Sequence, residues 1–295
     1  DLVDGIDDLL MKDIDRMLAD PSIVQSDMML HFLHFYKLAN DYDSRNQLAE
    51  KPLLPLLEQI EKITSFEELN QQFPEWTLDS LPLPFSLDVD ADMKNAQTNA
   101  LFAYPPSLFL PDKTYYSSEH PNGAQLLNIF FDMMVQLVQL AGKDKNQAEA
   151  IVEQAIQFDK LVAPHVKSAE EKADYSKMYN PQDFDTFIAH TNQLDLKKLV
   201  TGLIGTIPDK VIVTDPVYFE QLSEILTTDH FQLFKSWMIV RTIRSLSGYL
   251  SEEFRQVSGI FSRTLSGTDE AMPPKKAAYY LATGKRDEIN YYLDR

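Results

Sequence analysis

"LFLPDKTYY", residues 108–116, and just upstream "LPLPF", residues 81–85, are dense in proline and aromatic residues and contain nothing that looks like a catalytic centre. Seven of the sixteen prolines fall between Pro74 and Pro121. Proline fixes φ and removes a backbone donor, so no long helix runs through such a region. Inside it, "LPFSLDVD" and "QTNALFAY" alternate in part between apolar and polar side chains, which predicts two short strands. "DKVIVTDP" alternates in the same way and ends at Asp215-Pro216, which predicts another. Everything around these stretches has helical spacing. The expected fold is mainly α: a large multi-helix lobe with a small β element at about 82–104 and 210–214.

Working outward, residues 2–18 place Leu2, Ile6, Leu9, Leu10, Ile14, Met17 and Leu18 on one side of a helix, which Pro21 closes. Ser22 is the expected cap of a second helix reaching about Leu48. Pro52 suits the first turn of a third, and Ser65 with Glu68 makes the capping-box pattern of a short fourth. Helices are expected again at 123–142, at about 145–175, at 216–226, at about 230–264 and at 275–293. The long apolar run at 123–142 imitates a membrane span. Gln125, Asn128, Asp132, Gln136 and Gln139 recur along it at steps of three and four, however, giving a wet edge that lipid would not tolerate.

Composition bounds the function. The 295 residues carry 27 basic and 45 acidic side chains, a net charge of -18, which repels phosphate backbones and anionic lipid; neither nucleic acid nor membrane is an expected partner. No cysteine is present, so disulfides and thiolate metal sites do not arise, as suits a reducing bacterial cytoplasm. The chain starts at Asp1 without an initiator methionine, and an excised segment of a longer protein is expected.

The search for chemistry returns few candidates. A zinc-peptidase helix needs histidines at i and i+4 with a glutamate after the first. The six histidines are followed by Phe32, Phe35, Pro121, Val166, Thr191 and Phe231. His31 and His34 share a helical face with Asp27 a turn away, but histidines in an apolar run such as "MMLHFLHFYKL" are more often packed and hydrogen-bonded than ligating. Asp88, Asp90 and Asp92 imitate the start of a calcium loop, yet Met93 and Asn99 stand where that loop needs glycine and glutamate; solvated carboxylates in a turn are the plainer reading. There is no G-x-G and no G-x-S-x-G.

Several blocks together carry more than any one of them. "LPLPF", "MKNAQTNALFAYPPSLFLPDKTYY", "FYKLANDYDSRNQLAEKPLLPLLEQI", "FDKLVAP", "VIVTDPVYFEQLSEIL", "LFKSWMIVRTIRSLSGYLSEEF" and "FSRTLSG" span nearly the whole chain. In content and order they resemble the N-terminal, non-catalytic part of the neprilysin-like zinc metallopeptidases, closest to the bacterial endopeptidase O branch. The resemblance implies a whole protein that is a zinc metalloendopeptidase hydrolysing oligopeptides. It implies that 1–264 form a helical, chamber-forming cap lobe and that 265–295 begin the return into a catalytic lobe missing from this sequence. The family's HExxH motif, its ExxxD helix and its N-A-x-Y strand would all follow Arg295. No catalytic or metal residue is therefore assigned here, and the substrate-contacting residues are unknown. The segment alone is expected to be inactive and to hold no zinc. The implied partners are peptide substrates and the missing lobe. The competing expectation is a stand-alone, non-catalytic helical binding module. On the first reading the proline-aromatic island is structural, bridging helices where the chain crosses between them, and Tyr279, Tyr280, Tyr291 and Tyr292 are expected to stand exposed for want of sequence to pack against.

Overall fold

Hydrophobic periodicity dictates most of what the computed structural model shows over the described residues, 2–284. The chain is helical for most of its course and carries one four-stranded sheet. Its contacts divide it into two compact units, one made by the chain up to Ala49 and from Ser247 onward, the other by Glu50–Leu246.

In the first unit, the helix Asp27–Ala39 is capped by Ser26, not Ser22: the Ser26 hydroxyl accepts from the Met29 amide. The helix expected to reach Leu48 stops at Ala39, and Asp41 caps a separate one, Tyr42–Leu48. Ile14, Leu33, Tyr36 and Ala39 pack with Ala278, Tyr279 and Ala282 of the helix Pro274–Thr283. Residues 265–284 thus share this unit's core through that helix. Arg45 is buried, its guanidinium donating to three carbonyls: Leu250 (2.7 Å), Ala39 (2.7 Å) and Gly248 (2.6 Å).

Of the two described tyrosines expected to stand exposed, Tyr280 is exposed and Tyr279 is buried; both donate their hydroxyls to Asp7. Tyr291 and Tyr292 lie outside the described residues. Ile6, Leu9 and Leu10 on the helix Leu2–Ala19 also stand exposed, with Met28 and Met29. Ile6, Leu9 and Leu10 belong to the stripe expected to face one side of this helix, and of that stripe's residues from Ile6 to Leu18 only Ile14 is fully buried.

The second unit is built on the helix Phe231–Leu246, which packs on Lys145–Val162, Leu54–Lys62 and Gly123–Leu140. The expected 230–264 helix is broken after Leu246, where a short 3-10 turn at Ser247–Tyr249 precedes Glu252–Ser258, and again at Gly259. Helix-poor Ser-Gly and Gly positions mark both breaks. The 145–175 helix ends at Val162, just before Pro164. Along Gly123–Leu140, Leu126, Phe130, Met133, Met134, Leu137 and Val138 face inward, while Gln125, Asn128, Asp132, Gln136 and Gln139 are exposed. Among the described residues no helix is long and apolar enough to cross a membrane. Gly123 is required: a Cβ there would lie 2.2 Å from the Tyr115 carbonyl oxygen.

The sheet lies where expected, with β1 Ser86–Asp92, β2 Asn95–Tyr104 and β4 Lys210–Val213. A third-in-sequence strand, β3 Pro181–Asp183, lies outside the two stretches expected to hold the β element; proline is tolerated as the first residue of an edge strand. The order is β1-β2-β4-β3, with β2 and β4 parallel and the outer pairs antiparallel.

The three aspartates of the calcium-like run are not in a turn. They belong to β1, where the Asp88 and Asp90 carboxylates accept from the amides of Val89 and Ala91 (2.8 and 2.7 Å). Asp92 is buried and accepts from Lys210 Nζ (2.7 Å), the Lys94 amide (2.9 Å) and Tyr179 Oη (2.9 Å). The Lys210 ammonium first, then the Lys94 amide and Tyr179, hold its carboxyl at about 2, against an ordinary 3.8. A carboxyl lowered in the folded state stabilises above its unfolded value and ceases to do so as pH falls through its folded one. Asp92→Asn is therefore expected to lower the urea midpoint at neutral pH. The difference from wild type should shrink through the window from about 4 down to about 2, as protonation makes the two side chains equivalent. A difference that persists unchanged at the acid end would contradict this.

Candidate functional site

The opening stretch is held from beneath by one buried carboxylate. Asp159 occupies a core position of Lys145–Val162, in the stripe Ala148, Val152, Ala155, Asp159, Val162, all buried. Its Oδ2 accepts from the Phe109 amide (2.9 Å) and from the Tyr116 hydroxyl, and its Oδ1 from Trp237 Nε1 (2.9 Å). The Tyr116 oxygen in turn accepts from the Leu110 amide (3.1 Å). One loop amide and two aromatic side chains thus end on one carboxyl group, and the next amide reaches it through Tyr116. Burial pushes the Asp159 carboxyl up, against the pull of Tyr116, the Phe109 amide, Trp237 and Arg241 in the other direction. Burial also pushes the Tyr116 phenol up, reinforced by the adjacent Asp159.

The rest of the island is fastened just as firmly. Phe109 stacks on Phe130 at 4.7 Å between centroids. Asp112 accepts from the amides of Thr114 (2.9 Å) and Ala169 (2.5 Å), and Lys113 pairs with Glu171 (2.7 Å). In the upstream segment, Trp76 Nε1 donates to the Pro82 carbonyl (2.9 Å) and the Tyr218 hydroxyl to the Pro84 carbonyl. Proline is useful here for a simple reason. Its carbonyl still accepts, while its missing N–H is one donor fewer to satisfy in a buried loop.

Between these two fastened segments lies a cleft of about 560 Å³. Residues 80–86 form one wall and Ser107 with Phe109 another. The last turns of Phe231–Leu246 supply Arg241, Arg244 and Ser245. Arg241 is anchored: Nη1 donates to the Ser107 carbonyl (2.7 Å) and Nη2 to Ser107 Oγ (3.0 Å), with the Trp237 ring 4.5 Å beneath its guanidinium carbon. Arg244 lies over the Phe130 ring at 5.2 Å. Both guanidinium groups sit near the C-terminal end of the helix, where its dipole favours positive charge. Burial pulls both down from their ordinary value, opposed by the charge of Asp159. The lining offers guanidinium N–H groups, serine hydroxyls and apolar carbon, an arrangement suited to holding an acceptor group.

The sequence candidates fall elsewhere. His31 and His34 are both exposed on Asp27–Ala39, not packed as histidines in an apolar run usually are, and His31 Nδ1 lies 2.7 Å from the Asp27 carbonyl oxygen. Among the described residues no three His, Asp or Glu side chains converge in a way that could hold a metal ion. Asp159, Arg241 and Arg244 were not singled out from sequence. A signal did exist for the first: an aspartate at a heptad core position flanked by apolar ones is a buried polar group awaiting partners. For Arg241 the only cue is its i+4 spacing from Trp237.

A family model described as peptidase family M13 matches residues 1–289. A neutral endopeptidase of Lactobacillus helveticus is 34% identical over 253 residues, covering 86% of this chain and 39% of that protein. A Streptococcus gordonii protein whose name classes it as a zinc metalloproteinase is 32% identical over 284 residues, 96% of this chain and 50% of its own length. Among solved structures, PepO of Lactobacillus rhamnosis superposes with a TM-score of 0.88 at 27% identity, covering 99% of this chain and 46% of that one. The chain thus spans about half the length of the curated relatives it matches, or less.

Proposed function

The chain belongs to peptidase family M13, and from that premise we propose that it is the N-terminal, substrate-restricting region of a zinc metalloendopeptidase that hydrolyses oligopeptides. The observation that carries this reading is the family match over residues 1–289 together with coverage of about half or less of each relative. Zinc, the catalytic base and the bond-breaking steps then belong to the remainder of the polypeptide, and this region contributes shape. As part of the same proposal, residues 265–295 begin the passage into that remainder, the protein works in the bacterial cytoplasm, and the isolated region neither binds zinc tightly nor cleaves peptides.

The exposed apolar surface of the first unit supports the reading. A groove of about 500 Å³ is lined by Leu10, Ile14, Met17, Met28, Met29 and Phe32. Apolar surface of this kind is normally covered, and here the rest of the same polypeptide is the natural cover.

The test is to express the complete reading frame that contains this chain and assay it on oligopeptides. The reading expects an HExxH motif downstream of Arg295 and hydrolysis that disappears on chelation and returns with zinc. A reading frame with no such motif, and no hydrolysis, would replace it with the stand-alone binding module.

A further inference from the structure

We propose that the cleft between the 80–86 segment, Ser107 and the end of Phe231–Leu246 binds the carboxylate of an oligopeptide, with Arg241 and Arg244 as its cationic contacts. The inference rests on the peptidase reading for the identity of the ligand as a peptide, and on the cleft itself for the carboxylate.

Charge is the first argument. In a chain of net charge -18, this lining carries two guanidinium groups and no carboxylate. Acidic side chains are abundant enough that a concave surface without one is a local departure, and it concentrates positive potential where the walls exclude water. Arg241 and Arg244 are three residues apart on one helix, so their side chains emerge on the same side, and both line the cleft.

Preorganisation is the second. The hydrogen bonds to Ser107 use two of the five guanidinium N–H groups of Arg241 and, with the Trp237 ring beneath, fix its plane. A donor already held in place loses little entropy on binding, and the planar fork matches a carboxylate. The hydroxyls of Ser86 and Ser245, at the rim, can supplement it.

Shape is the third. The cleft's 560 Å³ lies within the usual range for small-ligand sites, about 300–1,000 Å³. Leu81, Phe85 and Phe109 make its apolar side, which fits a peptide whose carboxylate neighbours an apolar side chain. Such a carboxylate is either the chain terminus or an acidic residue beside an apolar one.

The experiment is calorimetry on the 295-residue chain with three pentapeptides: one ending in phenylalanine with a free carboxylate, the same peptide amidated, and an amidated version with glutamate before the phenylalanine. Tryptophan emission gives a parallel reading. Trp237 lies under Arg241, Trp76 donates to Pro82, and the chain has no other tryptophan. The free acid should bind at least about tenfold more tightly than the plain amide, the value of one charge-assisted hydrogen bond. Tight binding of the free acid alone identifies the terminal carboxylate, and equal binding of the glutamate peptide identifies a side-chain carboxylate. Arg244→Gln should weaken binding by about tenfold or more. Ser245→Glu changes an exposed rim position and should do the same through repulsion, with an unchanged urea midpoint; it keeps the test sound even if Arg244→Gln fails to fold. If acid and amide bind alike, if neither binds, or if folded Ser245→Glu binds the acid as wild type does, the inference falls. Hydrolysis by the whole protein is scored separately. Cleavage without carboxylate preference in the cleft overturns this inference alone, and carboxylate binding without any cleavage overturns the peptidase reading alone.

Discussion

Asp159→Ala should cost on the order of 4 kcal/mol and release the 105–116 loop. The substitution strands three donors at once: the buried Phe109 amide and Trp237 indole N–H, and the half-buried Tyr116 hydroxyl. An unsatisfied buried polar group costs roughly 1–3 kcal/mol, and the vacated volume adds a cavity term. The loss should be read in the urea transition followed by tryptophan emission, since Trp76 and Trp237 both lie in the Glu50–Leu246 unit. Native hydrogen exchange should show the amides of Phe109 and Leu110 among the most accelerated. Asp159→Asn keeps the shape but puts an NH₂ where two donors or one donor must meet an acceptor, so it should fall between wild type and alanine. An alanine variant as stable as wild type, with Phe109 and Leu110 still protected, would show that the loop is held by Phe109 packing on Phe130 and not by the carboxyl group.

Arg45→Met should be the comparable lesion in the other unit. Three carbonyls, those of Ala39, Gly248 and Leu250, lose a charged donor, and the guanidinium also leaves its place 4.3 Å from the Tyr42 ring centroid. Hydrogen bonds from charged groups contribute roughly 1.5–3 kcal/mol each, and their losses are not additive at one site, so an overall effect on the order of 3 kcal/mol is expected. Arg45→Lys should recover only part of it, because one ammonium cannot span three carbonyls approached by three different nitrogens. The readout is exchange protection of the backbone around 39–49 and 248–252. Unchanged protection in the methionine variant would mean that apolar packing of this unit, not the guanidinium, joins its two chain segments.

How legible this molecule is in its sequence depends on how local the determining physics is. The helix Gly123–Leu140 was readable because its inward and outward residues alternate at 3.6-residue spacing with no tertiary information needed. The strand pair at 86–104 was readable because proline clustering excluded helix and alternation remained. β3 escaped because three residues cannot display a period, and its pairing partner β4 lies some thirty residues on. The long C-terminal helix was overextended because Phe231, Phe234, Met238, Val240 and Ile243 do form one buried face, and the pattern alone gave no weight to Ser247-Gly248. Residues 2–18 show the reverse case. Their apolar stripe is real, but much of it is exposed in this structure. Nothing in a stripe says whether its partner lies in the same stretch of sequence. The cleft was the least legible part. Arg241 and Arg244 become neighbours of Ser86 and Ser107 only after the sheet and helices assemble, across separations of well over a hundred residues, and no spacing rule reaches that far. The family resemblance supplied the blocks that contain Ser107, Arg241 and Arg244, and the structure shows which residues stand beside them.

The most direct test of the central claim compares two substrates with one enzyme. The complete protein is given a short peptide and the same peptide embedded in a stably folded domain, and the two cleavage rates are measured with zinc present. The substrate-restricting reading predicts rapid cleavage of the free peptide and negligible cleavage of the embedded one, with Arg45→Met and Asp159→Ala narrowing the gap by loosening the wall. Equal rates on the two substrates in the intact enzyme would contradict it.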